Sequence, residues 1–194
     1  MRVPRPVVLA VPPAALAVTG LFHPLQAAED PVRWTAVHVA GLVLFPLLGT
    51  GPWLAVRGRG RGVALAVGLL GYLYAAGYTA LDVIAGVVNG VLLQRGTALG
   101  AVLYPLGNAF GIPSAVAYLA ATAVALVALR DLPPRLLVPG GVLVPTGGVS
   151  FLTSHIMGWR GVATMAVLAV GWALIGAAAE RRGDSPAAVH LRAA

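Results

Sequence analysis

Residues 57–95, RGRGRGVALAVGLLGYLYAAGYTALDVIAGVVNGVLLQR, open with three arginines in five positions and continue as an apolar run from Gly62 to Leu93. An arginine cluster followed by more than 18 apolar residues is the pattern of a cytoplasmic loop feeding a membrane helix. The run is long. Its 32 residues would extend about 48 Å as one helix, against a hydrocarbon core of about 30 Å, so it must tilt, break or project. It also carries a carboxylate, Asp82, the one acidic residue inside any apolar stretch. Tyr78, four residues before it, and Asn89, seven after, share its helical face.

The same pattern repeats on both sides. Five further apolar stretches lie near Pro6–Phe22, Thr35–Val56, Phe110–Leu129, Leu136–Met157 and Gly161–Ala179. The chain is 59% hydrophobic and only 10% charged, with a mean hydropathy of +0.88, where soluble domains carry about 25% charged residues. The expected fold is therefore an all-α integral membrane bundle of six transmembrane helices, forming a single unit over residues 1–182. A short polar tail, 183–194, follows and contains His190.

Charge placement orients the bundle. Arg2, Arg5, Arg57, Arg59, Arg61, Arg130, Arg135, Arg181, Arg182 and Arg192 fall on one side of the threading, and only Arg33, Arg95 and Arg160 on the other. By the positive-inside rule both termini are cytoplasmic, and the setting is a bacterial plasma membrane. Trp34 and Trp159 then belong to the outer interface. The segment 97–109, broken by Pro105 and Gly107, reads as a re-entrant or interfacial piece outside the fourth span. The N-terminus has the outline of a signal peptide ending in Ala15-Leu16-Ala17, although Pro12-Pro13 fits that role badly. Closely spaced glycines such as Gly86-x-x-x-Gly90 suit tight helix contacts.

The net charge of +7 does not point to nucleic acid, because the arginines sit between apolar spans and form no basic face interleaved with aromatics. Membrane lipids are the expected surroundings, with a second copy or a partner membrane subunit as the protein contact. No cysteine is present, so disulfides and thiolate ligands are excluded.

Counting along the helices brings the unusual polar groups together. His23 ends the first span and His38 lies about one turn into the second. Asp82 is 21 residues past Arg61, and His155 is 20 past Arg135, each about 30 Å from the arginine layer. Four helices thus each send one group to an outer layer. Three imidazoles and a carboxylate suit zinc, iron or copper. Asp82 is a fourth ligand, a catalytic general base, or a partner fixing one imidazole's tautomer. Haem b is the alternative, with two histidines as axial ligands and Arg33 and Arg160 meeting the propionates.

Competing readings are a proton-coupled carrier, or an accessory subunit whose polar groups meet a partner. Each histidine also has a structural role open to it, as does Asp82 in an ion pair with an outer arginine. The stripe Thr146, Ser150 and Ser154 reads as helix packing. Serine-hydrolase chemistry is rejected, because Ser154 and His155 point about 100° apart on one helix and the G-x-S-x-G elbow is absent.

Overall fold

The computed structural model describes residues 3–183 and is helical throughout, with six helices and no strand among those residues. The tail that holds His190 lies outside the described residues. Helix α1 spans Arg5–Gly20, α2 Pro31–Val56, α3 Arg61–Gln94, α4 Gly100–Ala128, α5 Pro134–Ser154 and α6 Gly158–Gly183. The last five are long and apolar enough to cross a membrane; α1 is a shorter apolar helix of 16 residues.

Helix ends follow local chemistry. Proline occupies the first position of α2 and α5, where its missing N–H removes nothing. At α2 the Asp30 carboxylate accepts from the Arg33 amide at 2.9 Å, so the helix starts a turn before the expected Thr35. Gly60, with φ of 116°, ends the arginine loop ahead of α3. Arg181 and Arg182 close α6, where cations complement the helix dipole.

The helices form a ring in chain order, closed by α1 against α6, with α2 set inward so that it also touches α4 and α6. Trp172, Tyr74, Tyr118, Phe45 and Leu168 fill the centre, and the Trp172 indole donates to the Tyr118 hydroxyl at 2.9 Å. Outward faces are equally apolar: Val39 and Val43 of α2, and Leu65, Leu69 and Tyr72 of α3, are all exposed. A bundle apolar inside and out is one built for lipid.

The arginine-bearing loops meet at one end. Asp131, between α4 and α5, accepts from Arg59 at 2.6 Å and also pairs with Arg182. The Arg5 amide donates to Glu180 at 2.5 Å. Exposed pairs of this kind contribute little stability, about 0–1 kcal/mol each. Their value is topological, since they place the starts of α1 and α3 beside the end of α6.

Two expectations are revised. Residues 100–109 are not a separate re-entrant piece: they are the first turns of α4, which continues through Pro105 and Pro113 without a break. Proline is tolerated inside such helices when neighbours re-satisfy the freed carbonyls. The long third run neither breaks nor stops. Instead α3 changes pitch, with Asp82–Val88 in π-helical geometry, and runs on to Gln94.

A candidate metal centre

Three histidines meet at the end of the bundle away from the arginine-bearing loops at 57–61 and 130–135. His23 follows α1, His38 sits in α2 and His155 caps α5; one ring nitrogen from each lies within 4.8 Å of the other two. The ring centroids are 5.0 Å apart for His23–His38, and 5.7 Å for both His23–His155 and His38–His155. Tetrahedral zinc at 2.0–2.1 Å from each nitrogen needs them about 3.3 Å apart. The nitrogens would close up by at most about 1.5 Å around such an ion.

Each imidazole is held from behind. His23 Nδ1–H donates to the Pro24 carbonyl at 2.6 Å, and His38 Nδ1–H donates to the Trp34 carbonyl at 2.7 Å. These bonds leave Nε2 as the lone-pair nitrogen on both rings. Tyr78 Oη and His155 Nδ1 share a hydrogen bond of 2.6 Å. Metal-bound histidines are oriented in this way, through hydrogen bonds on the nitrogen that does not ligate. His23 Nε2 is buried with no hydrogen-bond partner.

His155 pays for its position in backbone geometry. With φ of 48° and ψ of −134°, it is the one non-glycine residue with positive φ among the described residues. Such conformations cost about 1–3 kcal/mol and concentrate at functional sites. Here the turn out of α5 sends the ring back over Tyr78 and Phe45, 5.7 and 5.1 Å away.

Asp82 lies beside the cluster. Its Oδ1 is 3.9 Å from His38 Nε2, the side chain is wholly buried, and neither oxygen has a hydrogen-bond partner. Two glycines make this approach feasible: Gly41 of α2 leaves the space that the Asp82 carboxylate fills, and Gly86 of α3 leaves the space for the His38 ring. Gly90, one turn on, receives Thr35. The π-helical stretch starts at Asp82 and contains Gly86, and its Ala85 carbonyl accepts from the Trp34 indole at 3.3 Å. π-bulges within α-helices are frequent at functional sites.

The remaining expected residues separate into three groups. Asn89 donates to the Tyr104 hydroxyl at 3.1 Å, so the Tyr78–Asp82–Asn89 face does point inward. Trp34 is buried over His23 and His38, with centroids 4.8 and 4.6 Å away, and not at the water interface as its place near a helix end implied. Trp159 is exposed as expected. Arg33 is bound to Asp30 at 3.0 Å and Arg160 to Thr153 at 2.8 Å, and neither lines the cavity beside the histidines. Ser150 and Ser154 both meet Thr164 of α6, at 2.7 and 3.2 Å, which is packing between helices.

Beneath the cluster, Phe45, Tyr78, Phe151 and Tyr74 form an aromatic floor with neighbouring centroids 4.6–5.3 Å apart. To the side, a cavity of about 360 Å³ runs between α3, α4 and α5, with His38, Tyr78 and His155 on its wall. Sequence reasoning identified the four polar groups but not this cavity, the π-turn or the part played by Trp34.

Burial pulls the pKa of His23 below the ordinary histidine value, against a smaller upward pull from its bond to Pro24. It is therefore neutral at pH 7, as a ligand must be. Protons and metal compete for the same nitrogens. Metal retention is expected to be complete at pH 7 and to fall only at pH below the ordinary imidazole value of about 6.5, because burial has already pulled His23 beneath it, which a chelator-challenge titration from about pH 8 to about pH 3.5 would measure. Retention that is flat across this range would contradict ligation by imidazole.

Comparison of the chain with protein-family models, with curated proteins and with solved structures gives no match, so its function is argued from the geometry of the site.

Proposed function

We propose that the protein is a multi-pass membrane metalloprotein of the bacterial plasma membrane, crossing it six times with both termini cytoplasmic. It holds one metal ion on His23, His38 and His155 near the outer face. The observation that carries this reading is the convergence of three imidazole nitrogens, backed by hydrogen bonds at Nδ1, from helix α2 and from the turns that follow α1 and α5. All-nitrogen donors with a carboxylate at hand and no thiol suit zinc best, ahead of iron or copper. An ion fits better than haem b. Haem takes two axial ligands, whereas here a third imidazole, His23, stands with its ring centroid 5.0 and 5.7 Å from those of the other two.

The proposed activity is hydrolytic. A three-histidine zinc site leaves a position for water and lowers that water's pKa toward neutrality. Asp82, 3.9 Å from His38 Nε2, is placed as the general base or as a fourth ligand. The aromatic floor favours a site served from one side over a path for a carried proton or solute.

Elemental analysis of protein purified in mild detergent is expected to find about one zinc per chain. His38→Ala and His155→Ala should each weaken retention by at least about 100-fold, beyond the 10–100-fold typical of losing an outer-shell partner. Retention unchanged in both variants would remove the histidines as ligands.

A further inference from the structure

Resting on the reading of the histidine cluster as a metal site, we infer that its substrate is a membrane amphiphile with an acyl carbonyl linkage, entering sideways from the outer leaflet between α4 and α5. The cavity that borders His38 and His155 does not end at the histidines. On its far side it is lined by Asn108 and Ile112 of α4 and Thr153 of α5, all exposed on the outside of the bundle. Among neighbouring helices, α4 and α5 are the least extensively packed pair. The mouth therefore faces whatever surrounds the helices.

Depth decides what that is. His155 is 20 residues above Arg135, and Ile112 is 18 above Arg130, so ring and mouth lie about 30 and 27 Å from the arginine layer. A hydrocarbon core is about 30 Å thick. The mouth opens at the outer boundary of that core, where the ester and amide linkages of lipids reside, with acyl chains below and headgroups above. The lining is mixed in the same way: Ile112 and Leu152 are apolar, Asn108 and Thr153 are polar, and His38 and His155 stand at the inner end. A volume of about 360 Å³ falls within the range of ligand sites. It accommodates roughly a dozen groups the size of a water molecule, taking about 30 Å³ for each, which suits one acyl segment and its linkage.

The reaction balances with water alone. Water adds to the acyl carbon and gives up a proton, which passes to Asp82 beside His38 Nε2, since His38 and not Asp82 lines the cavity. The C–O or C–N bond then breaks, the proton passes to the leaving alcohol or amine, and a fatty acid remains. No oxidant or reductant is required.

The test uses zinc-loaded full-length protein in phosphatidylcholine vesicles containing a lipid with a photoactivatable acyl chain. Crosslinks are expected to concentrate on residues 104–115 and 152–157, and to fall at least fivefold in Ile112→Trp and Asn108→Trp, both exposed positions, with zinc content unchanged. His155→Ala should lose zinc and keep the crosslinks. Acyl-ester and acyl-amide reporters in the same vesicles distinguish the two linkages, and release of fatty acid from either supports the inference. Crosslinks spread evenly around the bundle, or cleavage of neither reporter by zinc-loaded protein, would overturn it. Absence of zinc with crosslinks still concentrated at the mouth would instead overturn the metal reading and leave lateral entry standing.

Discussion

Asp82→Asn is expected to lower hydrolysis by about 10²–10⁴-fold, the range that a positioned general base supplies, while the bundle remains folded and keeps its zinc. Asparagine has nearly the shape of aspartate, so it fits the space that Gly41 leaves for the carboxylate. Stability should not suffer. The carboxyl group is wholly buried with both oxygens unpartnered, so the amide that replaces it gives up no hydrogen bond, and an unpartnered buried polar group is itself a cost. Thermal unfolding of the metal-free variant in detergent is expected at or above the parent's temperature. A residue that lowers stability where it stands, yet is required for turnover, is the signature of a site maintained for chemistry. A variant that unfolds early and loses metal would instead make Asp82 a structural tie between α2 and α3.

Gly86→Ala should be strongly damaging to the site. A methyl group at this position would stand inside the His38 ring, so either the ring turns away from the cluster or α2 and α3 move apart. Overpacking of this kind costs about 1–3 kcal/mol, and zinc retention should fall with it. Gly62 provides the contrast, because a methyl group there meets nothing within 4 Å. At this helical position Gly→Ala is expected to stabilise by up to about 1 kcal/mol through the gain in helix propensity. Opposite signs for the two substitutions are the expected result of parallel melting curves. Equal effects would mean that the fit of His38 against Gly86 is not what sets the α2–α3 distance.

The helical architecture and the layer of polar groups were legible because both depend on one-dimensional quantities. Apolar length and arginine placement mark the helices, and a rise of 1.5 Å per residue puts Asp82 and His155 at equal height above the arginines. Faces on a single helix were legible too: Trp34, His38, Gly41 and Phe45 share one side of α2, and all are buried. What escaped depends on neighbours. Trp34 near a helix end reads as an interfacial anchor until α3 supplies the Ala85 carbonyl that binds its indole. Arg33 reads as a ligand for an anionic group until Asp30, three residues away, occupies it. The π-turn at Asp82 has no composition of its own, and it arises where Gly86 must face His38. A break at Pro105 was a fair inference from a soluble helix. The helix instead runs through it unbroken, from Gly100 to Ala128.

X-ray absorption at the zinc edge, on protein purified without chelator, reads the ligands of the proposed centre themselves. Three imidazole nitrogens at about 2.0–2.1 Å with one further oxygen is the shell that His23, His38, His155 and a water or Asp82 would give. No bound zinc after re-supply, or a shell with fewer than two imidazoles, would contradict a metal centre on these three histidines.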